Sequence, residues 1–177
     1  MKIIKTKFKG LKIIQQKNNS DPRGSLRETF RKKIISWDEL VFDYATTSKK
    51  DVLRGFHFQH KFQQAKFVSV LKGKILDVVA DLRPHSKTFG KYFKIELSEK
   101  NSKSLMIPKG FAHGFLGLGS ENVVLYSNDN YRSKKDEVGI SWNDKRLNIN
   151  WGKKKIIISK KDKNNISLKE FLKSLKK

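Results

Sequence analysis

The chain contains no cysteine, which excludes disulfide scaffolds, thiol nucleophiles and metal sites built on thiolates. Proline is scarce: Pro22, Pro84 and Pro108 are the only three in 177 residues, and no Pro-rich or Gly/Ser-rich linker divides the sequence. Long apolar stretches are also missing. Runs such as Ile156 to Ile158 reach only a few residues, far short of the roughly 20 needed to span a bilayer as a helix. The opening Met1-Lys2-Ile3-Ile4-Lys5 puts lysine where the apolar core of a secretory signal would begin. The expectation is a single domain over residues 1–177, in the cytoplasm, with no membrane partner. Acidic residues are few, 17 against 40 Lys plus Arg, for a formal charge of +23. Within that basic set arginine is the minority, seven against 33 lysines, although base-edge and bidentate phosphate recognition favours the planar guanidinium. Lysine is joined by many Ile and Asn, the trio that AT-rich codons encode. The composition therefore favours a solvated lysine surface over nucleic acid as a partner, and a basic nucleic-acid-binding β-barrel stands as the more distant alternative.

What is present is enough for a core: 37% apolar residues, with twelve phenylalanines. Short apolar or alternating runs at 51–59, 65–71, 74–82, 92–97, 104–107 and 122–127 are separated by turn residues such as Lys72-Gly73-Lys74 and Pro108-Lys109-Gly110. That spacing predicts an antiparallel β-sandwich or barrel. Helical signals are peripheral. Ser36 with Glu39 resembles a capping box, and Ser167-Leu168-Lys169-Glu170 is a second, followed by Phe171, Leu172 and Leu175 at helical spacing. A short C-terminal helix packed on the barrel is expected. Of four histidines, His60 and His85 lie in polar stretches and read as surface residues, whereas His57 and His113 are flanked by phenylalanines. His57 is followed by Phe58 and Gln59, so the His-x-His pair that metal-binding barrels use is absent; neither a metal nor another cofactor is expected. On spacing alone, His57 and His113 are equally readable as packed core residues.

A set of ordered motifs changes that balance. They are Asp21-Pro22-Arg23-Gly24 with Glu28-Thr29-Phe30, then Leu53-Arg54-Gly55-Phe56-His57-Phe58-Gln59, Gln64-Ala65-Lys66, Asp77-Val78-Val79-Ala80-Asp81-Leu82-Arg83, Ser86-Lys87-Thr88-Phe89-Gly90, Pro108-Lys109-Gly110-Phe111-Ala112-His113-Gly114-Phe115, Gly139-Ile140-Ser141-Trp142-Asn143-Asp144 and Ser159-Lys160-Lys161-Asp162. Together, over about residues 8 to 165, they resemble the dTDP-4-dehydrorhamnose 3,5-epimerase family. The resemblance implies an all-β double-stranded β-helix of the cupin jelly-roll type, a homodimer, and metal-free epimerisation at C3 and C5 of a 4-keto-6-deoxy nucleotide sugar.

Inverting a carbon beside a ketone needs a base to take its proton, stabilisation of the enolate, and an acid to return a proton to the opposite face. By resemblance the base is His57, oriented by Asp162; the acid is Tyr126; and Lys66 stabilises the enolate oxygen. Arg23, Glu28, Arg54, His113, Glu137 and Lys161 match positions that the family uses around the substrate, and Asp77 is expected to orient His113. Arg54 and His57 are three apart and would face opposite sides of a regular strand; a bulge at Gly55 would reconcile them. Two stretches depart from the pattern. Phe42-Asp43-Tyr44 stands where the family typically has Gln-Asp-Asn. Arg132, after Tyr131, stands where many members have a tyrosine stacked on thymine. Phe42, Tyr44, Tyr131 and Arg132 therefore bear on the nucleotide, leaving an epimerase of one carbon, or of a GDP-, CDP- or UDP-linked sugar, as the alternative. A non-catalytic sugar-binding module is a third reading.

Overall fold

The computed structural model describes residues 1–35, 40–153 and 155–175. In chain order it has β1 (Lys2–Lys5), β2 (Lys12–Gln15), β3 (Asn18–Asp21), β4 (Gly24–Arg27), α1 (Lys32–Ile35), β5 (Phe42–Lys49), β6 (Val52–Gln59), β7 (Lys66–Lys72), β8 (Lys74–Asp81), β9 (Tyr92–Ser98), β10 (Lys103–Ile107), β11 (Phe111–Gly117), β12 (Glu121–Asn128), β13 (Glu137–Gly139), β14 (Ile157–Ile158), α2 (Lys160–Lys163) and α3 (Leu168–Ser174). One sheet runs β1-β2-β10-β7-β12-β5 and the other β13-β6-β11-β8-β9, with β14 added parallel to β6. Every other pairing between these strands is antiparallel. This is the jelly-roll architecture expected from the sequence, and all six runs singled out there are strands.

The alternation of side chains explains how two sheets make one barrel. On β8, Ile75 and Val79 point inward to a core of Phe8, Leu11, Val68, Leu105, Phe111, Phe115 and Val124. Val78 and Ala80 point outward, beneath Leu53, Phe56, Phe58, Leu147, Trp151 and Phe171. The second sheet is thus buried on both faces, which is why β8 and β11 read as nearly continuous apolar runs rather than alternating ones. Helix α3 supplies part of the outer cover: the Phe171 ring meets Phe58 edge-on at 5.1 Å. Its capping box is formed as expected, Ser167 Oγ accepting from the Glu170 N–H and the Glu170 carboxylate accepting from the Ser167 N–H. Two expectations are corrected. Leu175, assigned to the helix's apolar stripe, is the C-cap and 39% exposed. His60 is half-buried, its ring 5.5 Å from Phe171, because α3 folds back over the end of β6. The capping box at Ser36 and Glu39 lies outside the described residues. No helix among the described residues is long and apolar enough to cross a membrane.

Candidate active site

The inward face of the barrel opens into a cavity of about 520 Å3, lined from six strands and α2. Its base-like element comes from β6. Leu53 and Phe56 both pack outward although they are three residues apart, so the strand's parity must shift between them. It does so at Gly55: His57 pairs with His113 and Arg54 with Phe115, leaving two residues of β6 opposite Gly114 alone. Gly55 has φ +118, and a Cβ there would lie 2.5 Å from Gly114 Cα, so both positions of this crossing need glycine. The bulge turns Arg54 and His57 to the same, inner side. It is the device that the motif required.

His57 Nε2 lies 2.7 Å from Asp162 Oδ1. Asp162 sits on the one-turn α2, held by its N–H donating to Ser159 Oγ at 3.0 Å, while its Oδ2 accepts from the Gly55 N–H at 3.3 Å. Burial pushes the Asp162 carboxyl up, but hydrogen bonding and charge from His57, with the Gly55 N–H and Lys161, hold it below the ordinary carboxylate range. The carboxylate therefore stays ionised and fixes the imidazole by Nε2, and among the described residues no hydrogen bond engages Nδ1. A second pair lies deeper: His113 Nε2 is 2.8 Å from Asp77 Oδ2, both buried. Asp77 stands opposite Phe115 on β11, so His113 is its diagonal neighbour on the same face. The expected Asp77–His113 contact is present.

Facing these, the phenol of Tyr126 is buried on β12, stacked on Tyr44 at 4.6 Å between ring centres and 7° between planes. Burial, with Tyr44 and Asp77 nearby, raises its pKa well above the ordinary phenol value. Lys66, first residue of β7, is 9% exposed; burial lowers its pKa to about 8, against the pull of Glu137 and Asp77. At the mouth Glu137 bridges two cations. Arg132 Nε donates to its Oε2 at 2.8 Å, and the Lys161 ammonium donates to Oε1. Burial opposes this charge, but the two cations bring the Glu137 carboxyl down to about 2. Arg54 Nε donates to Ser48 Oγ at 2.8 Å and Nη2 to the Thr47 carbonyl, and among the described residues no carboxylate pairs with it.

His57, Asp162, Tyr126, Lys66, Arg54, His113, Glu137, Lys161, Arg132, Phe42 and Tyr44 are therefore all brought to one cavity. Three expected residues are not. Arg23 pairs with Asp21 on the exposed β3–β4 hairpin, and Glu28 pairs with Arg31 just beyond it. The hairpin is held away from the cavity by Arg27, whose Nη2 donates to the Val70 carbonyl, well along β7 from Lys66. Tyr131 is 67% exposed and stacks on the outer side of Phe42, outside the cavity lining. Sequence reasoning missed Thr46, Gln59, Gln64 and Ser159. Thr46 was findable from the Phe42, Tyr44, Thr46 alternation of β5, and Ser159 from its N-cap spacing to Asp162. Among the described residues no group of three or more His, Asp or Glu side chains is arranged to hold a metal ion.

Comparison with known proteins finds relatives over most of the chain. The family model described as dTDP-4-dehydrorhamnose 3,5-epimerase matches residues 5–170. The dTDP-4-dehydrorhamnose 3,5-epimerase of Shigella flexneri is 39% identical over 170 residues, 93% of this chain and 94% of its own length. That of Methanothermobacter thermautotrophicus is 39% identical over 176 residues, 96% and 95% of the two chains. The crystal structure of dTDP-6-deoxy-D-glucose-3,5-epimerase from Legionella pneumophila Philadelphia 1, in complex with dTDP-4-keto-L-rhamnose, superposes with a TM-score of 0.91 at 37% identity, covering 95% of this chain and 93% of that one.

Proposed function

The chain belongs to the dTDP-4-dehydrorhamnose 3,5-epimerase family, and from that premise we propose that it inverts C3 and C5 of dTDP-4-keto-6-deoxyglucose by acid–base catalysis through an enolate. The observation that carries this reading is the convergence on one cavity of a carboxylate-oriented histidine, a protonated phenol and a buried lysine. His57 Nδ1 takes the proton alpha to the C4 ketone, and the C–H electron pair moves into the carbonyl to give the enolate. Asp162 stabilises the imidazolium so formed. The Lys66 ammonium neutralises the enolate oxygen, more effectively in a buried site than in water. Tyr126 delivers a proton to the opposite face of the carbon; its raised pKa keeps the donor protonated at neutral pH. Solvent exchange then removes the proton from His57 and restores one to Tyr126. Arg54, Lys161 and Arg132 are cations at the cavity for the diphosphate, and His113 lines its inner wall.

Arg23 and Glu28 keep a place in this reading through a homodimer. Both are exposed and remote from the cavity of their own chain, so their route to a substrate is through the cavity of a second copy. The experiment is incubation in deuterated water with dTDP-4-keto-6-deoxyglucose, followed by NMR. Loss of the C3 and C5 proton signals with formation of dTDP-4-keto-rhamnose is expected. Exchange at one carbon selects the single-carbon reading, and absence of exchange with the dTDP-, UDP-, GDP- and CDP-linked 4-keto sugars alike sinks the enzyme reading.

A further inference from the structure

Strand β5 is the free edge of its sheet, paired with β12 in a register that sets Tyr44 directly opposite Tyr126. The two rings are almost parallel, 4.6 Å apart. Behind Tyr44 the stack continues to Phe42, at 5.7 Å and 24°, and then to Tyr131, at 6.0 Å and 19°. The Tyr126 ring also meets the His113 ring at 5.8 Å and 66°. Tyr126 therefore touches one parallel ring face and one tilted ring. The exposure changes abruptly across the stack, 5% for Tyr126 against 38% for Tyr44. Tyr44 is thus the ring in direct contact with Tyr126 on that side, with Phe42 and Tyr131 stacked beyond it. A tyrosine on a strand has two rotatable side-chain bonds, and burial alone does not choose the plane of its ring.

We propose that Tyr44 is a positioning residue: its ring, backed by Phe42, holds the Tyr126 ring in one plane and keeps water from its phenol. The inference rests on the reading of Tyr126 as the proton donor. Other groups act on the same phenol: Arg54 from β6, Asp77 from β8 and His113 from β11, with Lys66 on β7 beside β12. Arg54 favours ionisation, whereas burial, Tyr44 and Asp77 oppose it. Removing the Tyr44 ring admits water to the phenol and removes two of the opposing influences together. It also frees the ring plane, and proton delivery is sensitive to such misplacement.

The test uses the full chain with Tyr44→Asn and Tyr44→Phe, read in two ways. With tyrosine carrying 13C at Cζ, the Tyr126 resonance is assigned by its absence in Tyr126→Phe and followed against pH. In wild type and Tyr44→Phe it stays protonated after the exposed tyrosines have ionised, and in Tyr44→Asn its midpoint falls by about one pH unit or more. In the epimerase assay Tyr44→Asn loses roughly 10- to 100-fold in kcat, a loss that saturating substrate does not recover, and Tyr44→Phe restores it. Tyr44→Leu, which keeps apolar surface but offers no ring face, gives the same comparison if Tyr44→Asn folds poorly. An unshifted Tyr126 midpoint in the ringless variants overturns the proposal, as does an unchanged kcat. Equal damage in Tyr44→Phe also overturns it, because the Tyr44 hydroxyl and not its ring would then be the active part. If wild type turns over no 4-keto sugar, the epimerase reading fails, while the titration still decides whether Tyr44 controls Tyr126.

Discussion

Replacing Lys66 with methionine should stabilise the protein while disabling it. Lys66 is 9% exposed, and its pKa falls from 10.5 to about 8 on folding. Each tenfold loss of proton affinity corresponds to about 1.4 kcal/mol, so a charged Lys66 costs the fold roughly 3 kcal/mol at neutral pH. Methionine is unbranched, close in volume and uncharged, and removes that cost. The sign can be checked against pH. Between about 8 and 10.5 the unfolded chain still holds the lysine proton that the folded chain has released, so wild-type stability gains across that window. Below it the full cost applies. The difference between Lys66→Met and wild type should therefore be largest at pH 6 to 7 and shrink toward zero by about pH 10.5. Urea denaturation of both proteins across this range measures it. In turnover the same group acts oppositely: its ammonium is needed, so wild-type kcat declines as pH rises through about 8, and Lys66→Met is inactive. A variant no more stable than wild type at pH 7, or a stability difference that ignores pH, would refute the burial argument.

Asp162→Asn removes the charge that stabilises the imidazolium and lets an amide N–H face His57 Nε2, which favours the wrong tautomer; kcat should drop by roughly 10²- to 10⁴-fold, with thermal unfolding little changed. Gly114→Ala would place a Cβ 2.8 Å from the Arg54 carbonyl oxygen and 3.3 Å from Gly55 Cα. It should cost about 1–3 kcal/mol in denaturant unfolding and reduce activity further, since the displaced segment carries both Arg54 and His57.

How much of this was legible in the sequence depends on the range over which each feature is decided. Strand β8 announces itself because the residues that make it a strand are its own. Strand β11 does not: Gly114 and Gly117 interrupt an apolar run that is buried on both faces, so no alternation betrays it. Strand β5 was missed for the opposite reason, since its Thr, Ser and Lys residues belong to a sheet edge that is half solvated. The bulge at Gly55 was foreseeable because a strand brings residues 54 and 57 to one side only by taking in an extra residue, and a glycine between them is where the backbone accommodates it. The His57–Asp162 pair was not readable from periodicity. Its members are 105 residues apart and meet because β14 runs parallel to β6 and delivers α2 beside the bulge. Only the ordered motifs, a record of the whole fold, could signal it. Arg23 and Glu28 mark the limit of that transfer: their motif is present, yet the fold leaves both outside the cavity of their own chain.

The net charge can now be divided. Among the described residues the cavity is lined by four cations, Arg54, Lys66, Arg132 and Lys161, and two carboxylates, Glu137 and Asp162. That surplus of two suits a diphosphate, and the rest of the +23 lies outside the site. Arg23 and Glu28 apart, charges outside do not line the cavity, so their effect on the substrate is confined to the approach. At about 0.01 M salt the field reaches roughly 30 Å, and at about 1 M only 3 Å. If the outer lysines steer the anionic sugar nucleotide, kcat/KM falls across that range while kcat stays level, because chemistry inside the buried site is weakly screened. A kcat/KM that does not respond to salt would mean that the lysine excess has no part in capturing substrate. A kcat that falls in parallel would mean that the cavity is more open to solvent than the burial of Lys66 and Tyr126 implies.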